Sequence, residues 1–269
     1  MKKIKSGKPV VLVFGGHDPS GCAGIQADIE SIAAQGCHAA TVITMLTTQS
    51  LNEFISFRTC DTEDVVEQAE LLLDSMDIRA VKIGAIGSLP LLNAIVDILA
   101  RTPALPVVLD PVLTSTTGHG MASDDLMSSM MDTLLPLVEI LTPNTQEAAL
   151  LSGISDNPDA AAGKLLEHSC RHVLLTGTHA TTDNVINRHY SADSAPASYE
   201  FQRLPGEYRG SGCLLASAIA ANRASGLNAQ TSIEHALEYT WQCLKAANTG
   251  DDTIHIPDRI HRTNRDDRQ

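Results

Sequence analysis

The sequence predicts a three-layer α/β/α sandwich built on a mostly parallel central sheet with antiparallel edge strands. Three observations carry that prediction: short β-branched runs recur along the chain, these runs are apolar throughout, and longer helical patterns separate them. Strands without polar alternation belong to a sheet covered on both faces. Helical segments between such strands serve as its crossovers.

The strand runs fall at 10–14, 40–45, 80–83, 107–109, 139–141 and 173–175, and helices are expected at about 22–35, 62–76, 88–101, 123–135, 145–152 and 158–168. In the first helix Ile25, Ile29 and Ile32 share a face at helical spacing, with Gln26, Asp28 and Glu30 off it. After Thr178 the pattern changes: 184–190 and 199–202 read as antiparallel strands of an edge hairpin, joined by a polar loop over 191–198. A helix starting at Gly212 is apolar nearly all round, through Leu214, Leu215, Ala218, Ile219 and Ala220, and should be central. A second helix at about 231–247 covers it.

A chain of 269 residues, 43% hydrophobic and 19% charged, has ample material for a core. One domain over 1–269 is expected, with 1–8 and about 259–269 frayed. The net charge of -13 opposes binding to nucleic acid or anionic membranes, so any phosphate site must be local. No apolar run approaches the roughly 20 residues that span a bilayer. Lys2, Lys3, Lys5 and Lys8 precede the first apolar run, but Gly15-Gly16-His17-Asp18 ends it without a small-residue cleavage pattern, which argues against a signal peptide. The six cysteines are scattered without a CxxC pair, as expected of reduced thiols in a cytoplasmic protein.

In open α/β sheets ligands gather at the carboxyl ends of the strands. There the sequence places Asp18 and Ser20; Thr47, Thr48 and Gln49; Asp110; Thr142, Asn144 and Glu147; and Thr176, Thr178 and His179, so a shared cleft is expected. The strongest single element is Gly210-Ser211-Gly212-Cys213 before the central helix. Its glycines admit close backbone approach, and the helix start offers unpaired N–H groups and a positive dipole end. Alone, it equally describes an ordinary glycine loop.

Upstream motifs make the reading specific. Gly16-His17-Asp18-Pro19-Ser20-Gly21-Cys22-Ala23-Gly24-Ile25-Gln26-Ala27-Asp28 resembles the first signature of hydroxymethylpyrimidine/phosphomethylpyrimidine kinases, in the ribokinase superfamily. Thr48-Gln49, Val81-Lys82-Ile83-Gly84, Leu109-Asp110-Pro111 and Thr142-Pro143-Asn144 with Glu147 resemble that family in order and spacing, from about residue 9 to 248. The resemblance implies a ribokinase-like fold, ATP and Mg²⁺, and transfer to a hydroxymethylpyrimidine and then to its monophosphate, in thiamine biosynthesis. A homodimer is common among such relatives.

On that resemblance the backbone of Gly210, Ser211 and Gly212 would stabilise the transferred phosphoryl group, since phosphoryl transfer needs positioning and charge stabilisation above all. Cys213 would be the base or a proton relay, helped by a helix N-terminus that lowers a thiol pKa; packing alone is the alternative. Asp110 and Glu147 are assigned to Mg²⁺, and Asn144 with Glu147 also fits a capping box. Gly16, Asp28, Gln49 and Gly84 are assigned to the pyrimidine, and Asn144, Thr176, Arg209 and Lys82 to the ATP phosphates, Lys82 also by orienting an acid.

Departures from the family pattern are Cys22 for a glycine, Ala85 for a methionine, which enlarges the ring pocket, Thr176 for a lysine, and Ser211 for a threonine. Arg209 is expected to replace the lost lysine charge. A pyridoxal or pyridoxine kinase and a non-catalytic pyrimidine-binding paralogue remain as alternatives.

Overall fold

A computed structural model describes residues 7–114, 120–178, 182–247 and 254–260. The chain runs β1 (Val10–His17), α1 (Gly24–Ala34), β2 (His38–Gln49), β3 (Phe54–Thr59), α2 (Thr62–Ser75), β4 (Ile78–Ile83), α3 (Leu89–Ala100), β5 (Val107–Leu109) and α4 (Asp124–Ser129). It continues through β6 (Ile140–Leu141), α5 (Thr145–Ser152), α6 (Pro158–Glu167), β7 (His172–Leu175), β8 (Asn184–Ser191), β9 (Ser194–Gln202), β10 (Glu207–Tyr208), α7 (Ser211–Ala224), α8 (Ala229–Lys245) and β11 (Ile254–His255).

Nine strands form one sheet in the order β3-β2-β1-β4-β5-β6-β7-β8-β9. The pairs from β2 through β7 are parallel, while β3 closes one edge and β8 and β9 the other by antiparallel pairing. The order reverses at β1, whose neighbours are β2 and β4, and there the carboxyl ends of the strands open a crevice.

Period-2 alternation in β1 divides the core between two faces. Val10, Leu12 and Phe14 pack with residues of α2, α3, α5 and α6, whereas Val11 and Val13 pack with Ile32 of α1, Leu215 and Ile219 of α7, and Ile233 of α8. Each such fully buried side chain contributes about 1.5–3 kcal/mol. The central position expected for α7 is observed, with every residue from Leu214 to Asn222 buried.

Several elements differ from expectation for identifiable reasons. β3 escapes the search for apolar runs because only Phe54 of its six residues is buried. The hairpin loop is shorter than 191–198: Ser191 pairs Ser194 and β9 starts there. β9 is an edge strand that includes Pro196 and exposes much of its length, so it reads as loop from sequence. The helix expected at 123–135 becomes α4 followed by a π-helical stretch, Met130–Leu134, and a 3₁₀ turn at Leu135–Leu137, where Pro136 has no N–H to continue an α-helix.

Two corrections bear on the site. The inward stripe of α1 is Ile25, Asp28 and Ile32, while Ile29 is 43% exposed, because Asp28 has a buried cationic partner. Residue 259 is not frayed: Arg259 is 2% exposed, and its guanidinium pairs with Glu30 at 3.1 Å. Gly7 and Lys8 are exposed before β1, and residues 1–6 and 261–269 lie outside the described residues. Among the described residues no helix is long and apolar enough to cross a membrane, and all six cysteines are free.

Candidate active site

The carboxyl ends of β1, β2, β4, β5, β6 and β7 surround an open cavity of about 690 Å³. Of the residues singled out from sequence, Gly16, Gln49, Lys82, Asp110, Asn144, Glu147, Thr176, Arg209 and Gly210 to Cys213 line it; Asp28 and Gly84 do not. His179 lies outside the described residues.

At its centre is the turn into α7. Gly210 caps the helix with φ 74°, a left-handed conformation suited to glycine, and no side chain caps the helix start. The first intrahelical bond is Leu214 N–H to the Gly210 carbonyl at 3.0 Å, which leaves the N–H groups of Ser211, Gly212 and Cys213 outside the helical ladder. Gly212 faces Asp110: a Cβ there would lie 3.6 Å from both carboxylate oxygens.

Beneath this turn runs a buried charge network. Lys82 on β4 is 1% exposed and pairs with Asp28, which is fully buried, at 2.9 Å from Oδ1 and 3.1 Å from Oδ2; Ser217 Oγ of α7 donates to the same Oδ1 at 2.7 Å. Asp28 is therefore neither an exposed helix position nor a ligand contact. The ammonium fills the space above Gly84, where a Cβ would come within 2.8 Å of Nζ. Gly84 thus serves the lysine, which corrects its assignment to the ring pocket. Burial opposes the charge on Lys82, but Asp28, Cys213 and Asp110 together raise its pKa above the ordinary lysine value.

Both cavity carboxylates are held less acidic than usual. Burial raises Asp110 to about 6 against the pull of Lys82, and burial with the neighbouring Asp110 charge raises Glu147 to about 8. Burial likewise pushes the Cys213 thiol up to about 12, although Lys82 pulls it down. The lowering expected from the helix N-terminus is thus overcome by desolvation, and Cys213 is a thiol at neutral pH.

Asn144 and Glu147 form a full capping box on α5: Asn144 Oδ1 accepts from the N–H of Gln146 and Glu147, and Glu147 Oε2 accepts from Asn144 N–H, all at 2.9 Å. Thr176 bridges to Asn144, its N–H donating to the Pro143 carbonyl at 2.9 Å. Arg209 borders a small side recess with Asp18, Ser20 and Gln49 that neither Asn144 nor Thr176 lines. Arg209 thus neighbours Gln49 as well as lining the main cavity. Asp18 is spent on its own turn, accepting from Ser20 N–H at 2.9 Å, Ser20 Oγ at 2.8 Å and Ala23 N–H at 2.9 Å.

Sequence reasoning missed the apolar walls. Met45, Phe54 and Met121 cluster at the Gln49 end with Phe57, Ala85 and Val112 against them. At the far end Val185, Phe201, Leu237, Trp241 and Leu244 line the cavity. The Phe54 signal was available in the β-branched and aromatic content of 54–57. The far wall combines an edge hairpin with one face of α8, and nothing local marks that meeting.

Comparison with known proteins follows the same geometry. Residues 18–257 match the family model described as phosphomethylpyrimidine kinase. The chain is 32% identical over 249 residues to hydroxymethylpyrimidine/phosphomethylpyrimidine kinase of Rhizobium meliloti, covering 88% of this chain and 91% of that one. It is 32% identical over 244 residues to the same-named protein of Streptomyces coelicolor, covering 88% and 89%. Among solved structures it resembles phosphomethylpyrimidine kinase from Clostridium difficile, at 27% identity and a TM-score of 0.77, covering 88% of this chain and 100% of that one. Pyridoxal kinase from Staphylococcus aureus in complex with pyridoxal shares the fold, with a TM-score of 0.86 at 21% identity and coverage of 95% and 94%.

Proposed function

The chain belongs to the phosphomethylpyrimidine kinase family, and from that premise we propose that it transfers the γ-phosphoryl group of ATP to the hydroxymethyl oxygen of 4-amino-5-hydroxymethyl-2-methylpyrimidine and then to the monophosphate, in thiamine biosynthesis. The observation that carries this reading is the placement of the unpaired N–H groups of Ser211 to Cys213 opposite Asp110, between two differently walled ends of one cavity. Such donors match the equatorial oxygens of a phosphoryl group in transfer.

The ring is assigned to the Gln49 end, between Met45, Phe54 and Met121, with the Gln49 amide able to donate and accept. Arg209, at that same end, would face the phosphate of the monophosphate substrate. ATP is assigned to the Asn144 and Thr176 end, with its base toward Val185 and Trp241. Lys82 supplies fixed positive charge near the transferred group. Cys213 acts as relay: its thiol neighbours the Asp110 carboxylate, so the sulfur would take the hydroxyl proton as its own passes to the carboxylate.

Mg²⁺ fits the residues present. Asp110 and Glu147 are carboxylates whose pKa values burial raises, and Glu147 uses Oε2 for its capping bond, which leaves Oε1 outside the capping box. Among the described residues no cluster of three or more His, Cys, Asp or Glu side chains could hold a metal ion. Two acids alone suit an ion that retains waters and phosphate oxygens. When bound it would neutralise charge on the phosphates. The protein is proposed to act in the cytoplasm as a single-domain homodimer.

ADP release tests the function. It is expected to require both ATP and the hydroxymethylpyrimidine, to proceed with the monophosphate, and to show lower kcat/KM with pyridoxal. Binding of the pyrimidine without ADP release would leave a non-catalytic paralogue; preference for pyridoxal would fit the space left by Ala85. Cys213→Ala is expected to lower kcat by about 10²-fold or more, and unchanged turnover would remove Cys213 from the chemistry.

A pH dependence follows from the two acids. Because the folded protein holds them protonated at pH values where the unfolded chain has released those protons, their contribution is complete at low pH and is lost as pH rises to about 8. The ligand-free protein should therefore lose stability across that range. Thermal melts at stepped pH should show the decline in wild type and its loss in Asp110→Asn/Glu147→Gln; a flat wild-type profile would contradict it.

A further inference from the structure

Arg259 lies past residue 257, where the match to the family model ends. It is nonetheless among the largest fully buried side chains of the protein. Its Nη2 donates to the carbonyl of Cys22, in the turn after β1, and is 3.5 Å from the carbonyl of Arg209, directly before Gly210. Its Nη1 pairs with Glu30 of α1 at 3.1 Å. A Cβ on Gly210 would sit 2.8 Å from the same Nη2. One guanidinium therefore touches the turn before α1, α1 itself and the turn before α7.

The segment carrying it is also pinned. β11 pairs with β10, and Arg209 N–H donates to the His255 carbonyl at 3.0 Å, so residues 254–255 hold the backbone that leads into the anion turn. Asp258 N–H donates to the Cys243 carbonyl at 3.1 Å, and Tyr239 Oη donates to the Arg259 carbonyl at 2.6 Å, which anchors the segment on α8. Stability alone is a poor account of this arrangement. Nε of Arg259 is buried without a partner, a cost that an apolar residue would avoid. A planar fork whose Nη1 pairs with Glu30 while Nη2 reaches carbonyls of two turns is what guanidinium offers and ammonium does not.

We propose that Arg259 is a positioning residue that locks the Cys22 turn to the Gly210–Cys213 turn and so fixes the backbone donors that face the transferred phosphoryl group. The inference rests on the kinase reading of that turn. Arg259 acts on the rate through geometry and touches neither substrate.

The test compares wild type, Arg259→Lys and Arg259→Ala by kcat, KM and melting temperature, and by amide hydrogen exchange at 20–24 and 209–213. A displacement of the donors by about 1 Å predicts a kcat loss of roughly 10²-fold in Arg259→Ala, less in Arg259→Lys. KM for ATP and for the pyrimidine should stay within about threefold, the pattern of an interaction expressed in the transition state. Added guanidinium ion should restore part of the rate of Arg259→Ala, and exchange should quicken in both turns while α3 is unchanged. If Arg259→Ala does not fold, Arg259→Lys decides by the same readouts.

The proposal is overturned if kcat of a folded variant stays within about threefold of wild type, or if exchange quickens throughout the protein and guanidinium restores nothing. Should wild type itself release no ADP, the kinase reading fails. The exchange comparison still decides whether Arg259 joins the two turns.

Discussion

Gly210→Ala is expected to lower kcat by about 10²–10³-fold, the effect of losing one well-placed donor to the reacting oxygen. Two causes act together. At φ 74° an L-residue is strained, at a cost of about 1–2 kcal/mol. In addition the new Cβ would collide with the Cys22 carbonyl and meet Arg259 Nη2 at 2.8 Å. Neither neighbour is a loose side-chain end, so the turn must move and carry the N–H groups of Ser211 to Cys213 with it. Steady-state kinetics on the folded variant measures the loss. KM for the pyrimidine should change little, because Gln49 and the Met45 and Phe54 walls stand on other elements. Turnover near wild type would mean the donors are not where the phosphoryl group passes.

Breaking the Asp28–Lys82 pair is the second large effect. Asp28→Leu would leave a buried ammonium without its partner, which typically costs about 3–5 kcal/mol and lowers the melting temperature by roughly 10 °C in a chain of this size. Ser217 Oγ, now donating at 2.7 Å, would lose its acceptor as well. Asp28→Leu combined with Lys82→Met should recover most of the stability, since replacing both buried charges by apolar groups is often neutral. Activity should not return, because Lys82 lines the cavity beside Asp110 and Cys213. Thermal melts and ADP release on the two single variants and the double variant separate these outcomes. A single variant as stable as wild type would show that the pair carries no structural weight.

The layered fold was legible because residues such as Val11, Val13, Val107 and Leu174 make continuous apolar runs, the mark of strands covered on both faces. Edge strands carry no such mark, and β3 and most of β9 were hidden for that reason. At the cavity, residues at strand ends such as Asp110 and Thr176 followed from chain order alone. The part played by Asp28 did not, since a carboxylate assigned to the pyrimidine by its motif is seen as a buried ion-pair partner only once Lys82, 54 residues away, is found beside it. The same applies to Cys213. Its place at a helix start is visible locally, but the burial that raises its pKa is not. Arg259 looked like part of a charged tail because its contacts lie 229 and 237 residues back along the chain.

The helix start at Gly210 also bears on how freely this family can vary. The donors proposed for recognition there are main-chain atoms of a helix buried nearly all round, so a substitution that leaves the backbone path unchanged leaves every donor in place. Ser211 in the position usually held by threonine is such a change. At Ser211 the turn should therefore tolerate a change of side chain, while its main-chain donors are vulnerable to whatever bends the chain.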